Sequence, residues 1–248
     1  MTKRILLAAF IAVTVFSACK KDPETLGTAP ISDYVPLEVG KYITYQLDSV
    51  RYIPFTLQQI TISYQAKFIV DAPITDNLGR PAYRIVRQIR KNPTDVWTPD
   101  NSFTAVYTDD NYEFVDNNLR FLKMRGPVKD GFTWKGNSYI NTTSQYSDFT
   151  YLDGWDYMFD SVAAPLTLGA INLDNTVKIA QRDDIVGNPE DPNSYSEINY
   201  GAEYYAKGIG LVYKRFFHSE YQPPTTPGAI GSYTQDSKGF TLTMIDHN

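Results

Sequence analysis

From Lys41 onward the chain alternates between apolar and polar positions. In 41–50, KYITYQLDSV, the side chains of Ile43, Tyr45 and Leu47 fall on one face and those of Thr44, Gln46 and Asp48 on the other. The stretch 58–72 repeats the pattern with Ile60, Ile62 and Tyr64 set against Thr61, Ser63 and Gln65. Segments 82–91, 176–183 and 239–246 continue it. A period of two, rich in Tyr, Ile, Val, Thr and Phe, marks half-buried antiparallel strands. Turn signals separate the runs: Asp76-Asn77-Leu78-Gly79, Asn92-Pro93, Asp109-Asp110-Asn111, Gly126-Pro127 and Gly187-Asn188-Pro189.

No stretch carries a helical period with caps at both ends. The nearest is NNLRFLKMRG (117–126), whose Asn start and Gly stop fit a short helix as well as a strand. The expected body is therefore one all-β or β-dominated domain of about ten antiparallel strands. Such a sheet must close, stack or curl to hide its apolar face. A barrel, a half-barrel and a sandwich all satisfy that, and a strongly curved sheet or barrel is the favoured form. Two long, turn-rich segments, 181–197 and 221–232, read as loops, where binding commonly resides. Gly208 and Gly210 precede a continuing strand rather than a helix, so they read as a bulge or a close backbone approach, not as a phosphate loop. Trp134-Lys-Gly-Asn reads as a turn in which Gly136 takes a positive φ.

The first residues follow another pattern. Lys3 and Arg4 precede an apolar run, Ile5 to Phe16, and then the small residues Ser17 and Ala18. Basic, apolar, small is the order of a secretory signal. The run is too short to span a bilayer, which takes about 20 residues. The single cysteine, Cys19, follows directly. Residues 20–33, KKDPETLGTAPISD, are charged, contain two Pro and lack an apolar period, the composition of a flexible tether. The expected organisation is a signal peptide over 1–18, a tether over 19–33 and a β domain over 34–248.

Phe16-Ser17-Ala18-Cys19 resembles the lipobox of bacterial lipoproteins, with Phe16 where that family usually has Leu. The resemblance implies acylation of the Cys19 thiol, cleavage before it and a lipid anchor on the mature chain, without a transmembrane helix. Several acyl chains on one residue fit the physics, because a single chain holds a protein only marginally. Lys20, where an Asp would favour retention at the inner membrane, implies the outer membrane, with the periplasmic and cell-surface faces both open. The body also looks like a family of Bacteroidota lipoproteins of unknown function. The likeness lies in YVPLEVGKYITYQLDS (34–49), NNLRFLK (117–123), WKGN (134–137), YYAKGIGLVYK (204–214) and IDHN (245–248). That family implies an anchored β domain and no activity, so no catalytic residue carries over.

Composition narrows the function. The chain has formal charge −5, and loss of Lys3 and Arg4 makes the mature part more acidic, which argues against nucleic acid as a partner. With one cysteine the chain can form no internal disulfide. Its two histidines, His218 and His247, lie too far apart in sequence to suggest a zinc site. No cofactor or metal motif stands out, and no Gly-x-Ser-x-Gly elbow occurs. Tyr occupies 19 positions against 13 Phe and 3 Trp. Trp97 and Trp155 near turn signals, with Tyr157 in the segment DGWDYMFD (153–160), are the candidate platforms for a glycan or peptide ligand. The expected function is a non-catalytic binding or structural domain. The alternatives are a glycan hydrolase using two carboxylates, which leave no sequence trace, and a carrier of an acyl chain or lipid.

Overall fold

The computed structural model describes residues 27–248, apart from 54–55, 109 and 227. The expected signal peptide, Cys19 and the first part of the expected tether lie outside the described residues. Thirteen strands follow one another: β1 (Tyr42–Tyr52), β2 (Gln59–Thr75), β3 (Pro81–Arg90), β4 (Thr98–Tyr107), β5 (Asn111–Asp116), β6 (Leu119–Arg125), β7 (Thr133–Lys135), β8 (Asp156–Leu168), β9 (Ile171–Gly187), β10 (Ser196–Ala206), β11 (Gly210–Gln222), β12 (Ser232–Tyr233) and β13 (Lys238–His247). Twelve of them form one antiparallel sheet in the order β6-β5-β4-β3-β2-β1-β13-β11-β10-β9-β8-β7, and β12 pairs with β11 off this path. The sheet curls into a nearly closed barrel, so the all-β expectation holds. Among the described residues no helix is long and apolar enough to cross a membrane.

Closure joins the two ends of that order. The backbone N–H of Leu122 in β6 donates to the Gly136 carbonyl just after β7, at 2.8 Å. The Trp134 indole N–H donates to the Leu122 carbonyl, also at 2.8 Å. Gly136 has a steric reason to be glycine: a Cβ there would stand 2.4 Å from the Tyr157 ring. Space, not the positive φ expected from the sequence, decides this position, since Gly136 is not among the residues with positive φ. Closure hides the row of unpaired N–H and C=O groups that an open sheet edge would offer to other chains.

The 117–126 stretch resolves as a hairpin. Asn117 and Asn118 take positive φ, 47° and 66°, between β5 and β6, the conformation that a two-residue turn demands and that Asn tolerates. Gly208 and Gly210 sit at the β10–β11 turn, and the register slips between Tyr204 and Tyr205, a bulge beside the turn. The long loop expected over 181–197 is shorter. β9 runs through Gly187 and pairs with β10 from Ser196, because 182–187 find ladder partners in 196–201.

Ahead of β1 the chain forms a single 3-10 turn, Ile31–Asp33, and packs against the barrel. Ile31, Tyr34, Val35 and Leu37 are all buried, and the Gly208 N–H donates to the Asp33 carbonyl at 2.7 Å. The segment read as the end of the tether thus joins the core at Ile31, ahead of the expected boundary at Tyr34.

Candidate functional site

Strand alternation points a specific set of side chains into the barrel. On β10, Asn199, Gly201, Glu203 and Tyr205 share the inner face. Glu203 stands directly opposite Lys214 of β11, and Lys214 stands opposite Leu242 of β13. Cross-strand partners share a face, so Lys214 also points inward. Lys123 comes from β6, on another part of the wall, and its ammonium donates to Glu203 Oε1 at 2.7 Å. This ion pair is a strut across the lumen, joining strands that are not neighbours in the sheet.

Glu203 is fully engaged. Its Oε1 lies 3.2 Å from Lys214 Nζ as well, and its Oε2 accepts the Tyr205 hydroxyl at 2.8 Å. Burial works against a charged carboxyl here, but Lys123 and Lys214 together with the hydrogen bonds outweigh it and hold Glu203 well below the usual range. Burial, and next the Lys123 charge, lower the Lys214 amine below its ordinary value. Burial, with Glu203 adding to it, raises the Tyr112, Tyr45, Tyr157 and Tyr205 hydroxyls well above theirs, so these phenols are neutral donors.

Beside this cluster lies a cavity of about 140 Å³. Its wall is largely aromatic. Phe68 stacks on Phe103 with centroids 5.4 Å apart, and Phe103 on Phe114 at 5.1 Å. Tyr45 meets Phe68 edge-on at 5.3 Å and donates its hydroxyl to the Leu211 carbonyl at 2.6 Å. The Arg87 guanidinium lies 5.3 Å from the Phe103 ring and pairs with Asp100. Lys214 and Asp116 both line the cavity. Asp116 Oδ1 is buried and has no hydrogen-bond partner among the described residues. The cavity also touches Pro36, Lys41 and Asn248, of which Asn248 is exposed and the other two are half-buried, so its mouth is on that side.

No protein-family model matches this chain, and no curated protein matches it.

The other end of the lumen is filled. Trp155 is buried, its centroid 5.7 Å from that of Phe216, and its indole N–H donates to the Tyr151 carbonyl at 2.7 Å. A Cβ on Gly201 would approach this indole to 2.6 Å, so glycine there makes room for the ring. Tyr151 stacks on His218 at 4.3 Å. His218 Nδ1 lies 2.7 Å from Asn199 Oδ1, and its Nε2 lies 3.6 Å from Asp236. Burial lowers the His218 pKa, which keeps the imidazole neutral near pH 7.

These positions show where the candidate platforms sit. Trp155 and Tyr157 are core residues, and the Tyr157 hydroxyl donates to Asn137 Oδ1 at 3.2 Å. Neither offers a ring face to solvent, and neither lines the cavity. Trp97 follows the β3–β4 turn under the Arg90 guanidinium, 4.3 Å from its ring, and is also away from the cavity. Lys123, Glu203, Lys214 and Asp116 were not singled out from the sequence. A signal for them did exist: Lys123 interrupts the apolar run Phe121, Leu122, Met124 within a strand. A charge in that setting is buried and must have a partner.

Proposed function

We propose that this chain is a lipid-anchored envelope lipoprotein whose barrel binds a small, mostly apolar molecule inside its lumen without turning it over. The observation that carries the reading is the aromatic-walled cavity beside the buried Lys123–Glu203–Lys214 cluster. An apolar cavity with a few convergent polar groups is the usual form of a small-molecule site. The volume is comparable to cavities of about 150 Å³ that accept a benzene ring. The anchor rests on the lipobox resemblance at Cys19, and Lys20 directly after it supports an outer-membrane location.

A hydrolase reading fits the lumen less well. Glycoside hydrolysis needs one carboxyl kept protonated near neutral pH. Glu203 is driven the other way by its two lysines. A glycan or peptide ligand would call for open aromatic faces, and Trp155 and Tyr157 are buried.

Two measurements test the proposal. Cys19→Ser should release the chain from the membrane fraction and abolish labelling by a palmitate analogue; retention with unprocessed wild type as the main species would sink the anchor. Toluene, as a ring-sized probe, should give a saturation-transfer NMR signal with the wild-type chain. Ile43→Trp, which places an indole in the cavity, should remove that signal while the circular dichroism spectrum stays that of a folded β protein.

A further inference from the structure

Resting on this reading of the lumen as a binding site, we propose that Asp116 and Lys214 form a head-group clamp selective for a neutral hydroxyl or carboxamide on the ligand, over an ionised group. The argument begins with hydrogen-bond supply. Asp116 Oδ1 is a buried acceptor with no partner among the described residues, on a side chain that lines the cavity. A carboxylate oxygen in that position calls for a donor, and leaving one unmet is costly. Lys214 is its counterpart. An ammonium carries three donors. Among the described residues, the one side-chain acceptor held by Lys214 is Glu203 Oε1, at 3.2 Å, and that oxygen is shared with Lys123. The cavity is thus lined by one carboxylate whose buried Oδ1 lacks a donor and by one ammonium with donors to spare. A group that donates and accepts at once satisfies both; a hydrocarbon satisfies neither.

Charge decides between neutral and ionised groups. Around the cavity, Lys123 and Lys214 stand against Glu203 and Asp116, and Arg87 is matched by Asp100. Apart from Lys41, which lies at the mouth against the Asn248 carbonyl oxygen, the set is balanced before a ligand arrives. A carboxylate would bring a negative charge beside Asp116, and an ammonium a positive one beside two lysines. Either would leave a charge uncompensated among largely apolar walls, where the cost is greatest. A hydroxyl adds two hydrogen bonds and no charge. With the ring-sized volume and the stacked Phe68, Phe103 and Phe114, the ligand class is a small aromatic or short aliphatic alcohol or amide.

The test compares four probes of one size on the full chain carrying Cys19→Ser: toluene, benzyl alcohol, benzoate and benzylamine, with Kd from ligand-observed NMR. Benzyl alcohol should bind at least about fivefold tighter than toluene and about tenfold tighter than either charged probe, the scale of one or two hydrogen bonds to charged groups. Asp116→Ala should bring benzyl alcohol down to the affinity of toluene or below while leaving toluene within about twofold, since an apolar probe makes no use of the clamp. Toluene and benzyl alcohol binding equally to the wild type would mean that solvent serves Asp116, and would overturn the clamp while the lumen stands as a binding site. Benzoate binding tightest would give the lysines control of selectivity and also overturn it. Failure of all four probes to bind would defeat the lumen reading itself, and the clamp with it.

Discussion

Two ionic clusters are built from the same chemistry, two cations and two carboxylates, and differ in completeness. One lies where the β2–β3 turn meets β5 and β6. Asp76 and Glu113 hold Arg80 and Arg120 there, with Arg80 at 2.9 Å from Asp76 and 2.6 Å from Glu113, and Arg120 paired to Glu113. Asp76 Oδ1 also takes the backbone N–H groups of Leu78 and Arg80, both at 2.9 Å. The planar guanidinium forks meet both carboxylates, and the oxygens of each are engaged. The other cluster, in the lumen, uses lysines, which are point charges on flexible stems. There Glu203 is saturated and Asp116 Oδ1 has no partner among the described residues. The first arrangement closes on itself and holds strands together. The second leaves a buried oxygen unmet on one cavity-lining side chain and ammonium donors to spare on another. Incomplete satisfaction next to free space separates a site from a staple.

The comparison can be broken most forcefully at the lumen strut. Lys123→Met leaves Glu203 with Lys214 as its remaining cation, and removing one partner of a buried pair should cost about 3–5 kcal/mol in urea unfolding. A loss below about 1 kcal/mol would mean that the strut is hydrated and that the lumen is wetter than its lining suggests. Glu113→Gln in the outer cluster should cost about 1.5–3 kcal/mol, the range for hydrogen bonds to charged groups. Burial opposes the Glu113 charge, yet Arg80 and Arg120 hold its pKa below the ordinary value. Its contribution is therefore complete above pH 4.5 and fades as pH falls through the lowered pKa. The gap between wild type and Glu113→Gln should narrow on acidification, and a gap constant down to pH 2 would detach the cluster from ionisation. The smallest change is expected at Asp116→Ala, within about 1 kcal/mol of wild type, because removing the unmet oxygen relieves a desolvation cost that offsets the lost attraction to Lys214. A loss as large as that of Glu113→Gln would make Asp116 a staple as well and erase the distinction between the clusters.

Alternation made the strands legible from the sequence: Ile43, Tyr45 and Leu47 of β1 all face inward as the period required. The choice of barrel over sandwich was not legible. It depends on pairings that alternation does not encode, such as β1 with β13, nearly 200 positions on, and the seam between Leu122 and Gly136. Trp155 and Tyr157 drew attention because they border turn-like residues, yet Gly154 is the turn and the two rings point into the core. The lumen cluster escaped for the same reason as the topology. Lys123, Glu203 and Lys214 come from three strands, and each alone reads as an ordinary charge on a strand. Asp116, at the end of β5, reads as a turn acid until the far wall is seen.

The packing of Ile31, Tyr34 and Leu37 against the barrel has a consequence for transport. Val35 and Leu37 line the cavity on either side of Pro36 at its mouth, so the chain passes the mouth on its way back to Thr28, which lies beside Asp110 and Gly126. If Cys19 is acylated as proposed, nine residue steps connect it to Thr28. At full extension they span roughly 30 Å. Thr28 can then stray from the lipid surface by little more than the thickness of a hydrocarbon core, itself about 30 Å. A molecule partitioned into the bilayer would reach the barrel by a short hop over the leash's radius, and its supply would follow its concentration in the membrane rather than in the surrounding water.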